Sequence, residues 1–241
     1  MSESFFDVSD FVYAHRGLWG GPRVPENSAA AFHSAHTQGV GAELDVRLSS
    51  DGVPFVFHDR TLDRMCPRTK GEFSGKPASE LAQTLLPNGY MIPSLAEALD
   101  IMADQPVLIE LKVDSPGDAA IADVVARALE GREGRLAVMS FDEVTVARLC
   151  QIVEGRPVGL LIDTLEKLGL EGVARQAGKA RAMGCDYIGP HHSSLAAAAG
   201  AAGGLPLVTW TVRTEAELRL AREHSAAPIF EGLSAALAKS S

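Results

Sequence analysis

The chain is 241 residues long, 46% apolar and 22% charged, so it can bury a sizeable core and is too apolar for wholesale disorder. Its 31 acids against 22 Lys and Arg leave a formal charge of −9, which argues against nucleic acid as a partner, because phosphate backbones are held by a surplus of cations. Cys66, Cys150 and Cys185 stand far apart with no paired spacing, which supports neither a disulfide framework nor a zinc knuckle and fits a reducing compartment.

From the start, short apolar runs alternate with longer amphipathic stretches. Residues 1–10 carry Glu3, Asp7 and Asp10 and no basic stretch, unlike a signal peptide. The first strand is expected at 11–14, ending in His15-Arg16-Gly17. Asn27 is expected to cap a helix that runs to Gln38 and is closed by Gly39. A second strand at 42–46 leads to Asp51-Gly52, a hairpin signal, and a return strand at 54–58; so short a loop cannot make the crossover that parallel strands need. The polar stretch 59–93, punctuated by Pro67, Gly71, Gly75, Pro77 and Pro87, reads as an excursion over a barrel mouth rather than a second domain. Ser94 and Glu97 form a capping box for a helix over 95–104.

The remaining strands are expected at 107–111, 136–140, 158–161, 186–188, 207–211 and 228–230. Helices are expected at 117–130, 142–152, 165–183, 193–202 and 214–224, with the tail 233–239 as the last. The most apolar window, 195–208, is broken by Pro206 and is shorter than the roughly 20 residues that span a bilayer. The expected setting is the cytoplasm, with no stable membrane association. Eight strand–helix units in a chain of this length predict an α/β fold, a closed (β/α)₈ TIM barrel. The whole of 1–241 is expected to form one domain, with the hairpin and the 59–93 insertion after the second strand.

Charged residues close several of these strands. Glu43 and Asp45 lie two apart, so their side chains point the same way while Leu44 and Val46 point the other. In a barrel strand the inward direction at the C-terminal end is that of the active site. Two carboxylates there need a compensating cation, although an exposed strand end is the plainer reading of this pair alone. Glu110 and Lys112 end the third parallel strand with the same spacing, which by itself fits a simple ion pair. Taken together, Glu43, Asp45 and Glu110 offer three hard oxygen ligands without a cysteine. That set fits Mg²⁺ or Ca²⁺, with Mn²⁺ a further candidate, better than zinc. His15 and Arg16 end the first strand, and His58 ends the return strand, which the hairpin at Asp51-Gly52 would place roughly beside Glu43. Two imidazoles flanking a divalent cation are suited to general acid and base chemistry.

The motifs His15-Arg16-Gly17, Pro25-Glu26-Asn27-Ser28, Glu43-Leu44-Asp45-Val46, Asp51-Gly52 and His58-Asp59, with Leu62 and Arg64, resemble the glycerophosphodiester phosphodiesterase family. Ile109-Glu110-Leu111-Lys112, Ser140-Phe141 and Trp210-Thr211-Val212 match in order as well. The resemblance spans 11–231. It implies a TIM-barrel hydrolase that cleaves a small-molecule glycerophosphodiester to sn-glycerol 3-phosphate and an alcohol. It also implies metal ligation by Glu43, Asp45 and Glu110, acid/base work by His15 and His58, and phosphate contacts by Arg16 and Lys112. Two departures fall on the rim. Arg213 stands where the family usually has Asn after Trp-Thr-Val, and Phe230-Glu231-Gly232 stands where its closing strand usually ends in Thr-Asp.

Trp210 and His191, both near predicted strand ends, are candidate substrate contacts, although ordinary barrel packing for Trp210 and an exposed loop for His191 fit equally well. Phe5, Phe6 and Phe11 are expected to plug the barrel floor or pack a helix rather than bind a ligand. Two other functions compete. A lysophospholipase D-type enzyme would need an apolar groove, for which Met65, Phe73, Leu81, Leu85, Leu86, Tyr90 and Met91 are available. A catalytically inactive binding barrel would have lost a ligand or a histidine, and none is missing. No motif addresses oligomeric state.

Overall fold

Residues 6–21, 23–115 and 117–240 are described by a computed structural model of the chain. Among them, the parallel strands are β1 (Tyr13–Ala14), β2 (Gly41–Leu48), β4 (Val107–Leu111), β5 (Leu136–Ser140), β6 (Val158–Ile162), β7 (Tyr187–Pro190), β8 (Leu207–Val212) and β9 (Ala226–Phe230). β1 pairs with both β2 and β9, so the ladder closes on itself as an eight-stranded parallel barrel. β3 (Pro54–Val56) is the antiparallel return strand expected after Asp51-Gly52, with Val46 opposite Val56.

The helices that follow the parallel strands are α1 (Ala29–Thr37), α3 (Leu95–Met102), α4 (Ala120–Leu129), α5 (Glu143–Ile152), α6 (Leu165–Met183), α7 (Leu195–Ala201), α8 (Glu215–Glu223) and, after the last strand, α9 (Ala235–Lys239). A short extra helix, α2 (Ala78–Leu81), lies in the insertion. The capping box at Ser94 and Glu97 forms as expected. The cap of α1 does not: Ser28, not Asn27, accepts from the Ala31 amide, and its hydroxyl donates to the Pro25 carbonyl.

Strand alternation divides the apolar residues into layers. Ala42, Leu44 and Val46 face outward with Val107, Ile109 and Leu111, and the helices pack over them. Tyr13, Leu108, Met139, Leu161, Tyr187 and Val208 fill the barrel interior. A Cβ on Gly159 would lie 2.4 Å from the Tyr187 ring, so the missing side chain makes room for that ring, whose hydroxyl donates to the Val138 carbonyl at 3.0 Å. Phe6 and Phe11 pack against this interior cluster, as expected of a floor, while Phe5 lies outside the described residues.

The insertion builds its own apolar cluster. Phe55 and Phe57 from the hairpin join Leu62, Phe73, Leu81 and Leu86 there, with the Phe57 and Phe73 rings stacked at 5.1 Å. Most of the residues available for an acyl groove are therefore committed to packing. Met91 is the large exception, at 59% exposure.

Candidate active site

The register of the barrel assembles the site. Asp45 on β2 sits directly opposite Glu110 on β4, and Glu43 lies one inward-facing position earlier. All three side chains are buried, and one carboxylate oxygen from each falls within 4.8 Å of the others. Lys112 Nζ reaches Asp45 Oδ1 at 3.0 Å and Glu110 Oε1 at 2.5 Å. Arg16 Nε lies 3.3 Å from Asp45 Oδ2, and its Nη1 donates to Glu26 Oε1 at 2.7 Å. Glu43, Asp45 and Glu110 thus outnumber the two fixed cations beside them, one of which, Arg16, is shared with Glu26.

The electrostatics follow from that imbalance. Burial pushes the Glu43 carboxyl well above its ordinary range, and Asp45 and Glu110 add to the push. Burial and Asp45 also raise Glu110, against Lys112. Asp45 is the exception: burial opposes its ionisation, but Lys112 and Arg16 outweigh it and hold the carboxylate charged. Glu43 Oε1 and Asn27 Oδ1 are buried without a hydrogen-bond partner. Clustered hard oxygens, a charge deficit and an orphaned carboxylate oxygen fit a bound divalent cation.

The turn after β1 is shaped to reach this cluster. Arg16 adopts φ 57° and Gly17 φ 77°, and the Arg16 amide donates to Glu43 Oε2 at 3.1 Å. A Cβ on Gly17 would come within 2.8 Å of Ala31 Cβ, so the turn packs on α1 only with glycine there. His15 Nε2 faces Glu43 Oε2 across 3.9 Å, and His58 Nδ1 lies 2.7 Å from Asp59 Oδ1. Burial lowers the pKa of both imidazoles, His15 and His58. Arg64 ties the two sides together, its Nη2 donating to Glu26 at 2.7 Å and its Nε to Asp59 at 2.6 Å.

His191 and Trp210 meet at the ends of β7 and β8, ring centroids 4.9 Å apart, and Phe141 packs edge-on against Trp210 at 5.2 Å. The Trp210 indole N–H is spent on the Gly189 carbonyl at 2.8 Å, so the ring presents only an apolar face. A cleft lined by Glu110, Lys112, Ser140 and Phe141 opens at the ends of β4 and β5.

Three contacts were not anticipated. Asn27, freed from capping, has φ 52° and donates from Nδ2 to Asp45 Oδ2 at 2.8 Å. Glu231 accepts from His15 Nδ1 at 2.7 Å, and Arg47 Nε donates to the His58 carbonyl at 2.9 Å. The signal for Glu231 lay in closure itself, since the last strand of a barrel must end beside the first. For Asn27, Ala substitution removes a buried hydrogen bond to a charged group, worth about 1.5–3 kcal/mol, and forces a positive φ that costs roughly 1 kcal/mol more. We expect Asn27→Ala to lose that much stability in urea denaturation; a loss within error of zero would remove Asn27 from the support of Asp45.

Residues 15–231 match the Glycerophosphoryl diester phosphodiesterase family. The chain belongs to that family. Its members are phosphoric diester hydrolases, in keeping with the carboxylate, histidine and cation set at the barrel mouth. A glycerophosphodiester phosphodiesterase of Caldanaerobacter subterraneus is 31% identical over 171 residues, covering 64% of this chain and 67% of that protein. The fold matches that of an Oleispira antarctica phosphodiesterase in complex with the product sn-glycerol-3-phosphate, with a TM-score of 0.78 at 22% identity over 90% of this chain and 92% of that one. A Thermotoga maritima glycerophosphodiester phosphodiesterase gives 0.72 at 25% identity over 95% of each.

Proposed function

We propose that the chain is a single catalytic domain that hydrolyses glycerophosphodiesters to sn-glycerol 3-phosphate and an alcohol with a divalent cation and two histidines. The observation that carries this reading is the convergence of Glu43, Asp45 and Glu110 with His15, His58, Arg16 and Lys112 at one end of a closed barrel. Glu43, Asp45 and Glu110 would hold Mg²⁺ or Ca²⁺, with Mn²⁺ a further candidate. Such a cation supplies Lewis-acid stabilisation of charge developing on the phosphoryl oxygens.

The chain's own groups do the rest. Arg16 and Lys112 attract the phosphodiester and offset the negative charge that grows at phosphorus. One histidine takes a proton from the attacking oxygen as its bond to phosphorus forms. The other gives a proton to the alcohol oxygen as the old phosphorus–oxygen bond breaks. The Trp210 face, with His191 and Phe141 beside it, offers an apolar wall to the glycerol or the leaving group. Cys66, Cys150 and Cys185, with no paired spacing in the sequence, suit a cytoplasmic setting.

Small polar substrates are favoured over lipids. Phe73, Leu81 and Leu86 are buried within the insertion and do not line a groove. The half-exposed Arg213 sits on the rim, and no helix among the described residues is long and apolar enough to cross a membrane. The test is a panel of glycerophosphodiesters and matching lysophospholipids assayed after chelation and metal add-back, below micelle-forming concentrations. Glycerophosphocholine and glycerophosphoethanolamine are expected to show higher kcat/KM than their acylated counterparts. A preference for the acylated substrates would make the enzyme a lysophospholipase D.

A further inference from the structure

The two histidines are held by matching devices. Asp59 accepts from His58 Nδ1 at 2.7 Å, and Arg64 grips the same carboxylate with Nε at 2.6 Å and Nη2 at 2.9 Å. Across the site, Glu231 accepts from His15 Nδ1 at 2.7 Å, and Arg213 grips that carboxylate with Nε at 3.3 Å and Nη2 at 3.2 Å. His58, Asp59 and Arg64 all lie in the N-terminal motif block. Arg213 and the Phe230-Glu231-Gly232 end of the closing strand are the two rim departures from the family pattern, and Arg213 and Glu231 contact each other.

We infer that Glu231, clamped by Arg213, is a positioning residue that fixes the His15 proton on Nδ1 and so leaves Nε2 to exchange a proton with the reacting oxygen. This rests on the role given to His15 above and adds the group that orients it. An ionised carboxylate can only accept, so the nitrogen 2.7 Å from it must carry the hydrogen. Glu231 is ionised at any ordinary pH: the His15 hydrogen bond, with help from Arg213, brings its pKa to about 2 against the pull of burial. Nε2, on the far side of the ring, faces the Glu43–Asp45 cluster. The Arg213 fork adds the second constraint, because a carboxylate held at both oxygens cannot rotate away from the ring. Barrel closure supplies the third, the His15 amide donating to the Phe230 carbonyl at 2.9 Å and placing Glu231 beside His15. The two departures thus act as one unit.

The test pairs a tautomer measurement with a double-mutant cycle. ¹⁵N NMR of histidine-labelled, cation-free protein, with His15 assigned by its loss in His15→Ala, is expected to show the neutral ring with hydrogen on Nδ1. Glu231→Gln should shift that signal toward mixed tautomers. In turnover of glycerophosphocholine, whose alkoxide leaving group needs a proton, Glu231→Gln is expected to lower kcat about 10- to 100-fold with little change in KM. Glu231→Asp should recover part of the loss. In a His15→Ala background the same Gln substitution should change kcat less than about twofold, because there is no ring left to hold. An equal loss in both backgrounds, or a wild-type ring with hydrogen on Nε2, overturns the inference. If the wild type hydrolyses no glycerophosphodiester at all, the proposed function fails, while the NMR result still decides whether Glu231 sets the tautomer.

Discussion

Chelation is expected to abolish phosphodiesterase activity and to lower the melting temperature, with Mg²⁺, Ca²⁺ or Mn²⁺ restoring both. A cation bound only by the folded state stabilises it by about 2.7 kcal/mol at a hundredfold excess over its Kd. For a chain of this size each kcal/mol corresponds to about 2–4 °C. Glu43→Gln separates the two roles of the carboxylate. It removes a charged ligand while keeping the shape, so activity should fall about 10³-fold or more even with added metal, as expected for several kcal/mol of lost charge stabilisation. Without metal, the same variant should melt higher than the wild type, because it relieves a buried carboxylate raised by burial and by Asp45 and Glu110. The pH dependence has a definite sign. A raised carboxyl pKa costs nothing below the unfolded value near 4.5 and costs progressively more as pH rises toward the folded value. The advantage of Glu43→Gln should therefore vanish near pH 4 and grow toward neutrality. Full activity of this variant without added metal would falsify the three-carboxylate site.

His15→Ala and His58→Ala should each cost about 10²- to 10⁴-fold in kcat with the fold intact. Intact folding is to be checked by circular dichroism and the melting curve. A substrate with a strongly acidic leaving group needs little protonation as it departs, so it should rescue only the variant that has lost the general acid. Rescue of neither would end the division of labour between the two histidines. Rescue of both would show that both rings serve the leaving group.

Much of the barrel and of its site is legible in the sequence, because it rests on local periodicity. Outward Leu44 and Val46 against inward Glu43 and Asp45 is a period-two pattern, and Glu110 with Lys112 repeats it on the neighbouring strand. The hairpin at Asp51-Gly52 is local turn chemistry and forms where expected. The misplaced element is the α1 cap. Asn27 and Ser28 are both good caps, and choosing between them requires knowing that Asp45 comes within 2.8 Å of the Asn27 amide. Once drawn to that carboxylate, Asn27 takes the left-handed conformation that asparagine tolerates, and Ser28 caps instead. The fate of the insertion's apolar residues is hidden for a similar reason. Composition cannot say whether Phe73 and Leu81 face a ligand or one another. The carboxylate behind His15 depends on closure, a property of the whole chain that no window of sequence contains.

That closure also fixes when the enzyme comes into being during synthesis. By residue 112 a growing chain already contains both histidines, all three carboxylates, Arg16 and Lys112, but β1 has only one of its two neighbours. Its other neighbour, β9, lies at the far end of the chain, and with it comes the carboxylate 216 positions from His15. Joining ends so far apart carries a loop-closure entropy that only the finished strand ladder offsets, so β1 and β9 should dock late. A nascent or truncated chain lacking β9 would carry nearly every reactive group of the site and still lack the wall that aims His15. The full rate of hydrolysis would then be reached only when synthesis has passed the last strand.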